Sequence, residues 1–131
     1  TEITCGVLGN QHPEALPLIE IVPGEGYSFF DYDAKYLPGA TEEICPARID
    51  ETLTAKAQSY GVAAHNALGC QGYSRTDMII QEETIFVLET NTIPGMTPTS
   101  LFPQAAQDAG LSFSALLDRL IELALEERNI I

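Results

Sequence analysis

The chain has 131 residues, 45% of them hydrophobic and 19% charged, which fits one globular domain and excludes a disordered segment. Its formal net charge is −13, so it has no basic patch with which to meet a nucleic acid. No apolar run approaches the length that spans a bilayer, and no basic–apolar–small-residue signal opens the chain.

Thr1 to Leu8 reads as a strand. It opens with no cap, no turn and no initiator Met, so these residues are expected to be a piece of a longer chain. Gly9 to Pro13 is a turn, Pro17 to Val22 alternates as a second strand, and Pro23-Gly24-Glu25-Gly26 breaks it. Tyr27 to Gly39 sets Tyr27, Phe29, Phe30, Tyr32 and Tyr36 among Asp31, Asp33 and Lys35 without a steady period. Such a segment can fold down as a compact lid or finish the edge of a core. Glu42 to Pro46 is a short strand. Asp50 is an N-cap before the acidic first-turn residue Glu51, and the helix it starts runs to about Leu68, where Gly69 stops it. Leu53, Ala57, Tyr60, Ala64 and Leu68 form its apolar stripe. Cys5, Cys45 and Cys70 are odd in number and lack metal spacing, which reads as reduced thiols and fits a cytosol. His12 and His65 receive no role.

Two β-rich runs follow, Ser74–Gln81 and Ile85–Asn91, around a polar turn at Glu82-Glu83-Thr84. They predict a hairpin with a three-residue loop. Placing Gln81 opposite Ile85 sets Ile79 against Val87, Asp77 against Glu89 and Arg75 against Asn91. Arg75, Asp77, Glu89 and Asn91 then share one face at the open end, while Met78, Ile80, Phe86 and Leu88 share the core face. Two carboxylates across a ladder repel, and Arg75 supplies the compensating charge. Asp, Glu and Asn oxygens without His or Cys are a hard-cation set suited to Mg²⁺ or Mn²⁺. Few protein ligands beside an arginine suggest phosphoryl chemistry. The plainer alternative is a charged hairpin end facing water.

The second strand runs into Thr92-Ile93-Pro94-Gly95-Met96-Thr97-Pro98-Thr99-Ser100, which opens a helix over Leu101–Ala109. A helix N-terminus can hold a carboxylate or phosphate, and Ser100 can also serve simply as its N-cap. Gly110 ends that helix. Ser112 caps a last one from about Phe113 to Arg128, with Phe113, Leu116, Leu117, Leu120, Ile121 and Ala124 inward. The order βββ-α-ββ-α-α predicts an α+β fold with a mainly antiparallel sheet and flanking helices. One difficulty remains for a nucleotide site. The cations are only Lys35, Lys56, Arg48, Arg75, Arg119 and Arg128, and a triphosphate usually needs several of them together.

Four stretches in order carry a family resemblance: E-I-T-C-G-V-L-G, F-F-D-Y-D-A-K-Y, L-G-C-Q-G-Y-S-R-T-D and L-E-T-N-T-I-P-G-M-T-P-T-S-L. Over nearly its whole length the chain resembles the C-terminal portion of the D-alanine–D-alanine ligases, a branch of the ATP-grasp superfamily. The resemblance implies that residues 1–131 are a C-terminal ATP-grasp subdomain, with the family's N-terminal domain and most of its central domain, including the missing phosphate-binding lysines, outside them. It implies ATP-dependent ligation of two D-alanines through an acyl phosphate, for peptidoglycan precursors in a bacterial cytoplasm, by a homodimeric full-length enzyme. It implies that Glu2 holds the ATP ribose, that Leu88 and Glu89 border the nucleotide, and that Lys35 and Tyr36 lie in a loop closing over phosphates and substrate. Asp77, Glu89 and Asn91 are implied ligands of two Mg²⁺ (or Mn²⁺) ions, with Glu89 bridging. Arg75 and the Gly95 amide are implied to stabilise the tetrahedral intermediate. Ser100 and the Leu101 amide are implied to take the carboxylate of the second D-alanine. The resemblance also implies that Tyr36 goes with a D-alanine acceptor, where related ligases that use D-lactate carry phenylalanine. Other readings are a different ATP-grasp carboxylate–amine ligase, a non-catalytic acidic domain that binds a divalent cation, and a fragment inactive by itself.

Overall fold

The computed structural model describes residues 1–24 and 41–128, and the aromatic segment expected to form a lid, with Lys35 and Tyr36, lies outside them. β1 (Glu2–Leu8) is the spine of an antiparallel sheet and is buried along Ile3–Val7. It pairs on one side with β3 (Ile19–Pro23) and on the other with β5 (Tyr73–Gln81), while the two-residue β2 (Glu14–Ala15) pairs with its end. β4 (Thr41–Ile44) lies outside β3 and β6 (Thr84–Asn91) outside β5, giving the order β4-β3-β1-β5-β6. The α+β class and the antiparallel pairing agree with the sequence. The strand expected from Pro17 begins at Ile19 instead, because Pro17 has no N–H to give a ladder.

Because β1 is central, both of its faces are covered. On the first face Ile3, Cys5, Val7, Met78, Ile80 and Ile85 pack against α1 (Glu51–Ala67). Asp50 caps this helix by accepting from the Leu53 N–H at 2.7 Å, and Gly69 ends it at φ +68°. The approach is close. A Cβ on Gly61 would lie 2.6 Å from Cys5 Sγ, so only glycine fits. The buried line on α1 is therefore Ala57, Gly61 and His65, and Leu68, expected to be core, is 61% exposed. Small residues admit the sheet, and the histidine is accepted because both its nitrogens are satisfied. Nε2 donates to the Gly9 carbonyl at 3.0 Å, which leaves Nδ1 to accept from the Ser74 hydroxyl at 2.7 Å. Burial pushes its pKa down.

On the second face Leu16, Ile19 and Ile21 pack against α2 (Leu101–Asp108) and α3 (Phe113–Arg128). Phe102, 1% exposed, lies over Gly6, where a Cβ would come within 3.0 Å of its ring, and Tyr73 meets it edge-on at 5.5 Å. Ser112 caps α3 through the Ala115 N–H at 3.2 Å. Leu116 and Leu123 point inward. Ile121 and Ala124, both expected inside, are exposed, because the apolar arc of α3 is wider than the surface offered to it among the described residues.

Candidate functional site

The site is built on the β5–β6 hairpin. Its loop has two residues, Glu82 and Glu83, with Gln81 opposite Thr84, and Glu82 takes the positive φ of 59° that primed hairpin turns need. The expected three-residue loop is thus one residue too long, and the upper register differs: Ile80 faces Ile85, Ile79 faces Phe86 and Met78 faces Val87. Ile85 is buried, whereas Phe86 and Leu88, expected in the core, are 49% and 58% exposed. A bulge then restores the count. Leu88 is the extra residue between Val87 opposite Met78 and Glu89 opposite Asp77, and Arg75 faces Asn91 as the sequence predicted.

β1 extends this face. Glu2 pairs with Ile79, Thr4 with Asp77 and Gly6 with Arg75, so Glu2 and Thr4 stand on the same side as the hairpin cluster. The Thr4 hydroxyl donates to Asp77 Oδ1 at 2.7 Å, and Arg75 Nε donates to the same oxygen at 3.2 Å. The Arg75 and Asp77 side chains are only 11% and 10% exposed. Asp77 is therefore held in one orientation by a buried hydroxyl and a guanidinium, as ligating carboxylates commonly are. Asn91 Oδ1 accepts from the Ile93 N–H at 3.0 Å, which ties the strand end to the loop and leaves the oxygen a second lone pair. Among the described residues no three His, Cys, Asp or Glu form a metal cage. The hard donors here are two carboxylates and an amide oxygen, a set that fits a magnesium ion completing its shell with water and phosphate oxygens.

The loop brings a second element to this face. Gly6 admits Phe102, and Phe102 seats the first turn of α2 beside the β1–β5 pair from which Arg75 rises. Ser100 occupies the N-cap position of α2 but makes no capping bond, and the first turn carries no acidic residue. Its hydroxyl accepts from the Thr97 N–H at 3.1 Å and lies 2.6 Å from Thr97 Oγ1. A Cβ on Gly95 would sit 3.1 Å from Ser100 Oγ, so the glycine keeps that side of the hydroxyl open.

The structure thus gathers Glu2, Arg75, Asp77, Glu89 and Asn91 on one sheet face, with Leu88 at the bulge beside Glu89, and it groups Gly95, Ser100 and Leu101 at the start of α2. Thr4 was missed, although simple alternation from Glu2 along β1 places it on this face. Thr97 was missed because only the loop's fold shows it beside Ser100. The three cysteines are free thiols. Burial pushes Cys5 up to about 12, and burial together with Asp108 pushes Cys45 up to about 11, so both stay protonated at neutral pH. Among the described residues no helix is long and apolar enough to cross a membrane.

The antiparallel sheet with its flanking helices, and its likeness to solved D-alanine–D-alanine ligases, define the class: this is the C-terminal part of an ATP-grasp fold. The family model described as D-ala D-ala ligase C-terminus matches residues 1–122, and the chain belongs to that family. It is 74% identical over 126 residues to the D-alanine–D-alanine ligase of Syntrophobacter fumaroxidans, a match that covers 96% of this chain and 40% of the relative. The corresponding ligase of Desulfotalea psychrophila is 58% identical over 127 residues, covering 96% and 39%. The D-alanine–D-alanine ligase of Bacillus anthracis, solved in complex with ATP, superposes with a TM-score of 0.80 at 34% identity, covering 98% of this chain and 39% of that one. The chain spans about 40% of the length of the curated relatives it matches.

Proposed function

We propose that this chain supplies the metal, acceptor and intermediate-stabilising part of a ligase that joins two D-alanines at the expense of ATP. The observation that supports it most directly is the placing of Arg75, Asp77, Glu89 and Asn91 on one face beside a helix start whose serine hydroxyl is not used as a cap. A carboxylate oxygen of the first D-alanine attacks the γ-phosphorus, ADP leaves, and an acyl phosphate forms. The amine of the second D-alanine then attacks the acyl carbon, and inorganic phosphate departs carrying that carboxylate oxygen.

Each residue has a part in this scheme. Glu2 accepts from the ribose hydroxyls, and Leu88, exposed at the bulge, lies against the nucleotide. Asp77, Glu89 and Asn91 would hold two magnesium (or manganese) ions, which supply charge neutralisation on the phosphate oxygens. Arg75, fixed by its bond to Asp77, and the Gly95 N–H face the oxyanion of the tetrahedral intermediate. The Ser100 hydroxyl and the Leu101 N–H receive the carboxylate of the second D-alanine. For Lys35 and Tyr36, which lie outside the described residues, the family resemblance suggests roles toward the phosphates and the substrate. The setting is the cytoplasm of a bacterium and the product a peptidoglycan precursor. The complete ligase is a homodimer.

The test joins this chain to the preceding region of the Syntrophobacter fumaroxidans relative and measures phosphate release from MgATP. Release that depends on D-alanine in the joined protein, and its absence from residues 1–131 alone, is the expected result. A joined protein that folds and hydrolyses ATP without responding to D-alanine would redirect the reading to another ATP-grasp ligase.

A further inference from the structure

The serine at the start of α2 poses a question of its own. An N-cap serine ordinarily accepts from the N–H two or three positions on. Here the third position is Pro103, which has no N–H, so one of the two capping partners is missing from the sequence. Ser100 has instead turned its oxygen back onto the loop. It takes the Thr97 N–H at 3.1 Å and sits 2.6 Å from the Thr97 hydroxyl, while its own N–H returns to the Thr97 carbonyl at 3.0 Å. The loop is closed on the far side as well, since Gln104 Nε2 donates to the Thr99 carbonyl at 2.7 Å. Thr97 and Ser100 are thus locked together by three bonds, although the Thr97 side chain is exposed and contributes nothing to the core.

A hydroxyl has one proton and two lone pairs. The Thr97 N–H fills one lone pair of Ser100. If Ser100 is to donate its proton to a carboxylate, the 2.6 Å contact is a hydrogen bond only when Thr97 Oγ1 is the donor, into the second lone pair. Ser100 then accepts twice and donates once, and its proton has a single direction, towards the side that Gly95 keeps open. Accepting two bonds also makes the remaining O–H a stronger donor.

We propose that Thr97 is a positioning residue of the acceptor site, orienting and polarising the Ser100 hydroxyl towards the carboxylate of the incoming amino acid. This rests on the reading of Ser100 as a carboxylate ligand. Thr97 itself touches no substrate. Its effect falls on acceptor binding rather than on phosphoryl transfer.

The experiment compares Thr97→Val, Thr97→Ser, Ser100→Ala and the Thr97→Val/Ser100→Ala pair in the joined protein, with D-alanine varied widely enough to separate its two apparent KM values. Valine keeps the shape and the backbone N–H and removes only the hydroxyl. At an exposed position it leaves the fold undisturbed, which circular dichroism checks. Thr97→Val is expected to raise the KM of the second D-alanine on the order of tenfold, the size of one hydrogen bond to a charged group. It should leave the KM for ATP unchanged and kcat within about twofold. Thr97→Ser should restore the parent value, and Thr97→Val should add nothing once Ser100 is alanine. If Ser100→Ala raises the acceptor KM and Thr97→Val does not, the inference is overturned and the role of Ser100 stands. If Thr97→Ser is as impaired as Thr97→Val, the hydroxyl is not the cause and the inference is likewise overturned. If Ser100→Ala leaves the acceptor KM alone, the carboxylate reading fails and the inference falls with it.

Discussion

Replacing Gly6 with alanine tests whether the core places the start of α2, the proposed acceptor end of the site. Gly6 has no positive φ, so its backbone suits alanine and the whole effect is steric. The added Cβ would lie 3.0 Å from Phe102 Cδ2 and Cε2 and 3.2 Å from Leu16 Cδ1. Carbon atoms rest about 3.5–4.0 Å apart, so the ring must withdraw by roughly half an ångström or more. Phe102 has little room to do so, being 1% exposed with Tyr73 against it. Overpacking of this kind costs about 1–3 kcal/mol, and the stiffer unfolded chain returns about 0.4–1 kcal/mol. The difference runs from near zero to about 2.6 kcal/mol, and a net loss of about 1.3 kcal/mol at its middle is expected, read as a lower urea midpoint at unchanged slope. Far-UV circular dichroism is the suitable probe because the chain has no tryptophan. The same displacement moves the first turn of α2, so in the joined protein the acceptor KM should rise while the KM for ATP stays. Gly6→Ala combined with Phe102→Leu should recover part of the stability. A Gly6→Ala protein as stable as its parent, with unchanged acceptor binding, would refute the placing of α2 by this contact.

Arg75→Ala should lower kcat for ligation by on the order of a hundredfold or more, the usual cost of losing a donor to a developing oxyanion, with the circular dichroism spectrum unchanged; near-parent turnover would remove Arg75 from the reaction. Asp77→Asn and Glu89→Gln should each weaken Mn²⁺ binding, followed by electron paramagnetic resonance without substrate turnover, and Thr4→Val should do so less strongly; an unaltered manganese titration in the two carboxylate variants would contradict the metal assignment. His65 gives a pH dependence. Its folded pKa is lowered by burial, so below about 6.5 the unfolded chain binds more protons than the folded one, and stability falls as pH drops through that value towards the folded pKa. His65→Gln should have lower stability at pH 7.5 but a flatter profile between about pH 7 and pH 5.5, and a slope equal to the parent's would show that His65 does not titrate on unfolding.

The hairpin shows how the sequence could bring the right residues onto one face and still be wrong about the route to it. Alternation placed Arg75, Asp77, Glu89 and Asn91 on one face, but it assumed a regular ladder. The turn carries neither Asn-Gly nor Asp-Gly, so nothing local reveals that Glu82 takes positive φ and shortens the loop by one residue. The bulge at Leu88 offsets that error at the open end only, which is why the cluster register holds while Phe86 and Leu88 lie outside the core. Helix caps were legible because Asp50 and Ser112 act through bonds three residues away. The inward face of α1 was not, because periodicity weights large apolar side chains, whereas the contact with β1 is set by the absence of one at Gly61. Burial of His65 depends on Gly9 and Ser74, partners brought from two other elements. Thr4 was within reach of the same alternation that placed Asp77, but an uncharged hydroxyl carries no sequence signal until its bond to Asp77 is seen.

The proposed acyl phosphate can be examined through the fate of a single oxygen. D-alanine labelled with ¹⁸O in its carboxylate is supplied with MgATP to the joined protein, and the inorganic phosphate is analysed by mass. Transfer of one labelled oxygen to each phosphate released in ligation is the predicted result, because in the proposed scheme the carboxylate oxygen that attacks the γ-phosphorus leaves with it. Dipeptide formation with unlabelled phosphate would contradict the account, since the carboxylate would then have been activated by some other group.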